Sequence, residues 1–177
     1  MLFLNIFKFF IDFKKLIFFK MLLKSLNMYL FSLKIRKMKV LIINGVNLNM
    51  LGKRETDIYG NESLTDLENR LSALNLDVSL EFFQSNSEKE IIEKIHSQKK
   101  EKYDFGIFNF GAHTHTNLAI RDAILSVNFP FYEVHISNVF AREEFRHTSF
   151  FSDIAEGSIV GFGFDGYEYA LDKILRS

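Results

Sequence analysis

From residue 38 onward, short apolar runs alternate with longer stretches whose apolar residues recur at helical spacing. Residues 39–44 (KVLIIN) are almost uninterruptedly apolar, which is typical of a strand buried on both faces of a sheet. Thr65 with Glu68 forms a capping-box pattern that predicts a helix start, and Ser87 predicts a second one. The predicted strands cover residues 39–44, 77–83, 103–109, 130–136 and 158–162, and the predicted helices cover 65–75, 87–100, 117–127 and 165–175.

Strands separated by helices of about ten residues are typical of a parallel sheet with right-handed crossovers. This order predicts an α/β fold: a flavodoxin-like, three-layer, doubly wound, five-stranded parallel sheet with strand order 2-1-3-4-5. In such sheets ligands bind beyond the carboxyl ends of the strands. The chemistry is therefore expected in the loops that follow them.

Those loops are rich in Asn, Ser, Thr, His, Arg and Tyr. The four in question read NGVNLNMLGKRETDIYG, QSNS, NFGAHTHTN and HISNVFAREEFRH. Loops are polar in most proteins, so composition alone leaves open whether these side chains are functional or ordinary loop residues. Their convergence on one edge of the predicted sheet favours a site there.

Length and composition limit the classes of protein to be considered. A chain of 177 residues with 47% hydrophobic content can form one domain with a sizeable core. It has no cysteine, which excludes thiolate metal sites, cysteine nucleophiles and disulfides, and which fits a cytoplasmic protein.

The net charge of zero conceals two opposite parts. Residues 1–37 carry eight basic residues against Asp12 alone, whereas the remainder carries 14 basic and 21 acidic residues. An acidic body does not favour nucleic-acid binding. We therefore expect a small-molecule ligand and no nucleic-acid partner.

Residues 1–37 form a Phe/Lys-rich extension unlike the rest of the chain. Its longest uncharged run, residues 25–33, is too short for a membrane span, which needs about 18 to 20 residues. Its lysines scatter around a helical wheel instead of forming one polar face. We expect no membrane association, and we expect the extension to lie outside the functional domain, residues 38–177. A targeting or membrane-contacting role is the alternative.

Two kinds of ligand site are poorly supported by the residue spacing. His113 and His115 could bind zinc only with a third ligand such as His135 or Glu133, and no H-E-x-x-H pattern is present. The stretch GFGFDG at 161–166 matches G-x-G-x-x-G, but too few residues follow it for a dinucleotide fold. Close packing of a helix on a strand explains these glycines better.

Acid–base chemistry remains. The chain has no G-x-S-x-G elbow, and Lys53, the candidate for imine formation, is expected to be a solvated charge. Arg54 and Tyr59 share one loop, and a nearby guanidinium favours the phenolate form of a tyrosine. Such a phenolate can remove a proton α to a carbonyl. The alternative is that Tyr59 only packs over the loop and that Arg54 is solvated.

Four long segments in sequence order resemble type II 3-dehydroquinate dehydratase. They are MKVLIINGVNLNMLGKRETDIYG, FQSNSEKEIIEKIH, NFGAHTHTNLAIRDAI and YEVHISNVFAREEFRHTSFFSDIAEGSIVGFGFDGYEYAL, and together they cover essentially all of residues 38–175. The resemblance implies dehydration of 3-dehydroquinate to 3-dehydroshikimate in the shikimate pathway, without cofactor or metal. The reaction it implies is an anti elimination through an enolate.

The resemblance also implies the catalytic roles. Tyr59 would be the base, with its pKa held down by Arg54. Asn47 would stabilise the enolate through a bound water. His115 would be the acid that protonates the departing hydroxyl, oriented by Glu133.

Substrate contacts follow from the same resemblance. Arg142 would close over the site together with the Tyr59 loop, and Asp122 would reach the substrate of a neighbouring subunit in a homododecamer built as a tetramer of trimers. His113 occupies a position where the family usually has an aromatic residue, and it is expected to form part of the wall. The residues expected to hold the ring hydroxyls and the carboxylate are Asn109, His115, His135, Ile136, Ser137 and Arg146.

Three positions depart from the family pattern. Val46 and Thr56 each replace a proline, which removes a fixed φ angle and loosens the active-site loop, and Phe140 replaces a common histidine. These departures are expected to affect the catalytic rate and the order of the active-site loop. The alternative function is a flavodoxin-like small-molecule binding module that has lost turnover.

Overall fold

The computed structural model describes residues 20–21, 36–53, 62–74 and 76–177. Contacts divide the chain into two units, residues 1–36 and 37–177, and the second contains every strand of the described part. Its strands are β1 Met38–Asn44, β2 Val78–Gln84, β3 Phe105–Asn109, β4 Phe131–His135 and β5 Gly157–Val160, and its α-helices are α1 Leu64–Ala73, α2 Glu88–His96, α3 Gln98–Glu101, α4 Leu118–Val127 and α5 Asp165–Leu175.

All five strands are parallel and lie in the order β2-β1-β3-β4-β5. This arrangement confirms the predicted flavodoxin-like topology. β1 is an interior strand that pairs with β2 on one side and β3 on the other, which explains its uninterrupted apolar sequence. The strand order reverses between β1 and β3, and a doubly wound sheet has its ligand crevice at that point.

Alternate residues of the strands enter two separate cores, one on each face of the sheet. Val40 and Ile42 pack with residues of α1 and α5, such as Leu67 and Leu171. Leu41 and Ile43 of β1 pack on the opposite face, among buried residues of α2 and α4. The period-2 alternation of strand side chains therefore determines which helix layer each polar residue at a strand end will meet.

The structure corrects one predicted helix start and confirms the other. The capping box that starts α1 is formed by Ser63 and Asp66, so the predicted pairing of Thr65 with Glu68 is wrong. The second start is confirmed, because the Ser87 hydroxyl accepts the amide of Glu90 at the beginning of α2.

The G-x-G-x-x-G stretch has the structural role that its position predicts. Gly161 and Gly163 have φ angles of 87° and 58°, a region that favours glycine. A Cβ atom at Gly166, in the first turn of α5, would lie 3.3 Å from Ile159 and 3.4 Å from Val134. The helix therefore packs directly on β4 and β5, as expected for glycines of this kind.

Of the residues described, none belongs to a helix that is both long enough and apolar enough to span a membrane.

Candidate active site

A cavity of about 220 Å³ opens at the carboxyl edge of the sheet, at the reversal between β1 and β3. Its walls come from the loop after β1, the end of β3 with the 3₁₀ turn that follows it, and the end of β4 with the segment beyond. The polar or charged residues that line it are Asn47, Asn109, His115, His135, Ser137, Arg142 and Arg146, and Ile136 is among its apolar residues. Sequence reasoning had named all eight as candidates.

Asn47 enters the cavity from the turn that follows β1. Its backbone is left-handed, with φ 66° and ψ 0°, a conformation that asparagine tolerates better than most residues. The backbone N–H of Asn47 donates to Oδ1 of Asn86 at 2.8 Å, so the loop after β2 fixes the turn. Val46, which stands where the family has proline, also lines the cavity.

Asn109, at the end of β3, is held by a buried polar network. Its Nδ2 donates to the Tyr167 hydroxyl at 2.9 Å, and that hydroxyl donates to Oδ1 of Asn44 at 2.6 Å. Oδ1 of Asn109 accepts the amide of Gly111 at 3.2 Å. Tyr167 is fully buried, and desolvation raises the pKa of its phenol. These contacts fix which end of the Asn109 amide is the donor.

Glu133 and His135 form a buried carboxylate–imidazole pair on β4. They are two residues apart on one strand, so their side chains point to the same face, and Nε2 of His135 lies 3.0 Å from Oε1 of Glu133. Burial by itself raises the pKa of Glu133, but the hydrogen bond and charge of His135 and the serine hydroxyls outweigh it and hold the pKa at about 2. The expectation that Glu133 orients His115 is therefore wrong: its partner is His135.

His115 is positioned by the backbone instead. Its Nδ1 lies 2.8 Å from the carbonyl oxygen of Thr148, and its ring stacks near that of His135, with ring centroids 6.3 Å apart. Desolvation, followed by the charges of His135 and Arg146, lowers the pKa of His115, while the hydrogen bond to Thr148 opposes this change. The environment of His115 therefore favours a neutral imidazole.

Two guanidiniums border the cavity on the segment after β4. Nε of Arg146 donates to Oε2 of Glu143 at 2.8 Å, and Nε of Arg142 lies 3.5 Å from the same oxygen. Both arginine side chains are largely buried, whereas that of Glu143 is half exposed. The pair can therefore bind a carboxylate at the mouth of the cavity.

Several predicted site residues lie elsewhere. Arg54 and Tyr59 are outside the described residues, as is Thr56. Asp122 is exposed on α4 and is not among the residues that line the cavity. His113 is half-buried but does not line the cavity either, so its expected place in the wall is wrong.

Phe140, where the family commonly has histidine, is 63% exposed and packs against His147.

The described residues contain no group of three or more His, Cys, Asp or Glu side chains arranged to hold a metal ion.

Sequence reasoning missed two sets of supporting residues. The first is Tyr167 with Asn44, which fix Asn109. The second is three serines whose hydroxyls donate to Glu133: Ser149, Ser152 and Ser158. The hydroxyl-rich stretch after β4 is visible in the sequence, but the strand register that brings Ser158 beside Glu133 is not.

Comparisons of sequence and of structure with known proteins give one family. Residues 38–175 match the family described as dehydroquinase class II. The chain is 57% identical over 140 residues to the 3-dehydroquinate dehydratase of Glaesserella parasuis serovar 5 (strain SH0165), covering 78% of this chain and 95% of the relative. It is 55% identical over 145 residues to that of Buchnera aphidicola subsp. Schizaphis graminum (strain Sg), covering 80% and 96%.

Solved structures give the same result. The type II dehydroquinase from Butyrivibrio crossotus DSM 2876 superimposes with a TM-score of 0.76 at 47% identity, covering 79% of this chain and 98% of that one. The type II dehydroquinase from Propionibacterium acnes gives a TM-score of 0.74 at 40% identity, covering 78% and 97%. The chain belongs to the class II dehydroquinase family.

Proposed function

We propose that this protein is a 3-dehydroquinate dehydratase, a hydro-lyase that removes water from 3-dehydroquinate by anti elimination through an enolate and yields 3-dehydroshikimate. The step belongs to the shikimate pathway of aromatic amino acid biosynthesis. One observation carries the proposal: a cavity at the sheet reversal combines amides, imidazoles and guanidiniums, in a chain whose relatives bear this enzyme's name. The alternative, a binding module without turnover, has no support from these comparisons.

The geometry changes the assignment of the acid that protonates the departing hydroxyl. A histidine that acts as a general acid benefits from a carboxylate that fixes its tautomer and stabilises its charged form. His135 has such a carboxylate in Glu133, whereas His115 contacts a neutral carbonyl and has a lowered pKa. We therefore assign the proton donor to His135 and a substrate hydroxyl contact to His115.

Substrate binding is assigned to the remaining groups of the cavity. Arg146 and the backbone amides of Ile136 and Ser137 hold the carboxylate, and Arg142 closes over it. The Asn109 amide, whose orientation is fixed by Tyr167, binds a ring hydroxyl. Each assignment agrees with the position of the residue in the cavity.

The base is assigned from the family resemblance, because Arg54 and Tyr59 are outside the described residues. Lowering a tyrosine pKa from about 10 to 7 or 8 needs roughly 3 to 4 kcal/mol, which one or two nearby cations can supply. Tyr59 as phenolate removes the proton next to the ketone. Asn47, at the cavity wall, stabilises the enolate through a bound water.

The assembly and location are also proposals. The exposure of Asp122 on α4 suits a role in a neighbouring subunit's site, and the assembly proposed is a homododecamer. The enzyme is assigned to the cytoplasm, without cofactor, nucleic-acid or membrane partners. Residues 1–37 are assigned no part in catalysis.

The test is steady-state formation of the conjugated enone, followed by absorbance, in the full chain. His135→Gln is expected to lower kcat by at least a hundredfold, with a smaller change in KM, because it removes a proton transfer. His115→Gln is expected to raise KM more than it lowers kcat. The reverse pattern would restore His115 as the donor, and tight binding of 3-dehydroquinate without any turnover by the unmodified chain would refute the enzyme assignment.

A further inference from the structure

The buried Glu133 carboxylate accepts hydrogen bonds on all sides. It is 1% exposed, and both of its oxygens accept two hydrogen bonds. Oε1 accepts from His135 Nε2 at 3.0 Å and from the Ser149 hydroxyl at 2.6 Å. Oε2 accepts from the hydroxyls of Ser152 and, at 2.8 Å, Ser158. An ionised carboxylate has about four lone-pair sites, so this set of donors fills them.

The three hydroxyls come from two places in the fold. Ser158 lies on β5 and is paired in register with Glu133 of β4, so both side chains lie on the same face of the sheet. Ser149 and Ser152 belong to the segment that leads into β5. The Ser149 hydroxyl also accepts the amides of Phe151 and Ser152, at 3.0 and 3.2 Å, which ties this turn to the carboxylate.

We propose that Ser149, Ser152 and Ser158 are positioning residues for the dehydration: they hold Glu133 in one orientation, so that the protonated ring of His135 is fixed through its Nε2–H and its Nδ1 proton is the one left for the departing hydroxyl. The proposal rests on the assignment of His135 as the proton donor. A carboxylate with only the imidazole as partner can rotate about its last bond. With three further donors fixed to two elements, it cannot do so without losing hydrogen bonds to a charged group.

The serine shell has an electrostatic consequence as well. Each hydroxyl stabilises the negative charge of Glu133, and so weakens the pull of that carboxylate on the proton of His135. His115, whose ring is stacked near that of His135, and Arg142 and Arg146 line the same cavity as His135. Two further ionisable residues, His147 and Tyr169, line the adjoining cavity that His135 also borders. Loss of a serine donor is therefore expected to strengthen the hold of Glu133 on the His135 ring and to slow proton transfer from it.

Ser158 is the serine whose replacement tests the proposal most directly. It is exposed, and its side-chain hydrogen bond is to Glu133, whereas the Ser149 hydroxyl also holds a turn. None of the three serines lines the cavity of the candidate site; all three line a second, adjoining cavity that shares His115, His135 and Arg146 with it. Ser158→Ala should therefore affect kcat and leave KM nearly unchanged. Ser158→Thr retains the hydroxyl on a strand residue and should restore kcat.

The experiment combines kinetics with NMR of the His135 ring nitrogens, which reports the Nε2 hydrogen bond to Glu133, in the substrate-free full-length protein. Ser158→Ala and Ser152→Ala are each expected to lower kcat by about tenfold, the equivalent of one hydrogen bond to a charged group, with KM within about twofold. The Nε2 signal of His135 should shift, because Glu133 gains freedom to rotate. Ser126→Ala, which removes a hydroxyl bonded to a helix carbonyl on α4, is the control and should change neither.

Two results would overturn the proposal. One is an unchanged kcat and an unchanged His135 Nε2 signal in both alanine variants; the other is a kcat that Ser158→Thr does not restore. A shifted Nε2 signal in the serine variants, together with turnover that survives in the separate His135→Gln variant, would separate the positioning role from the donor assignment. The serines would then act on His135 as described, and the assignment of the proton donor would be the step that fails.

Discussion

Replacing Tyr167 with phenylalanine removes one oxygen atom from the centre of the protein. That oxygen joins Asn44 and Asn109, which are 1% and 3% exposed, while the tyrosine itself is fully buried. The variant retains the ring and its packing against Phe164. Its effect therefore isolates two hydrogen bonds of 2.6 and 2.9 Å.

The expected magnitude follows from the groups left behind. A buried polar group that loses its partner costs about 1 to 3 kcal/mol, and this variant leaves one carbonyl oxygen and one amide N–H in that state. We expect the free energy of unfolding to fall by about 2 to 4 kcal/mol. We also expect KM to rise by about tenfold, because the Asn109 amide is no longer held in the orientation that contacts a substrate hydroxyl.

Urea denaturation at one fixed protein concentration measures the first quantity, and the enone assay measures the second. Tyr132→Phe is the matched control, because Tyr132 is half-buried with its ring stacked on Phe105 and does not line the cavity. It should change stability by less than about 1 kcal/mol and leave KM unaltered. If Tyr167→Phe were no less stable than this control, the hydroxyl would have no role in ordering Asn109.

Four other changes test separate parts of the structure. Gly111→Ala should lower stability by about 1 to 3 kcal/mol in thermal unfolding, since φ is +60° and the new Cβ would lie 2.6 Å from the carbonyl of Val46; a neutral result would contradict that geometry. Glu133 has a folded-state pKa of about 2, below its usual 4.5, so its contribution to stability is present above pH 4.5 and is lost as the pH falls towards 2. Glu133→Gln should therefore flatten the acid side of the stability profile, and an unchanged profile would count against the pair. Tyr59→Phe should abolish enone formation with an unchanged circular dichroism spectrum, and near-normal activity would refute the base. Deletion of residues 1–37 should leave folding and kcat intact, and loss of either would assign the extension a role.

The fold was predictable because its determinants are local. The apolar run of β1 and the spacing of strands and helices indicate a doubly wound sheet, and 2-1-3-4-5 is one of the common strand orders for such a sheet. Helix starts were less certain. Ser63 with Asp66 and Thr65 with Glu68 are both capping patterns within one turn, and the capping hydrogen bonds of α1 are made by Ser63.

The candidate site was predictable as a list of residues but not as a set of pairs. Side chains at the ends of β1, β3 and β4 had to meet at one edge, and the structure places eight of the named residues around one cavity. Which histidine meets Glu133 depends on the face to which each side chain points. Because alternate residues of a strand share a face, the spacing of Glu133 and His135 already contained this information.

The supporting residues depend on long-range register and could not be read from the sequence. Tyr167 meets Asn44 across 123 positions, through the packing of α5 on the sheet. Ser158 meets Glu133 only because β5 pairs with β4 in one particular register.

That register also restricts how the surface of this enzyme can change. A shift of β5 by one residue would bring Ile159 to the position beside Glu133, exchange a hydroxyl for a hydrocarbon, and reverse the face of every side chain on the strand. Insertions or deletions between His147 and Gly157 that shift this register would remove the Ser158 hydroxyl from Glu133, the partner of the proposed proton donor His135, although they would be made in an outer connection of the edge strand. Engineering this reaction into another doubly wound protein would require this edge strand as well as the loops of the candidate site.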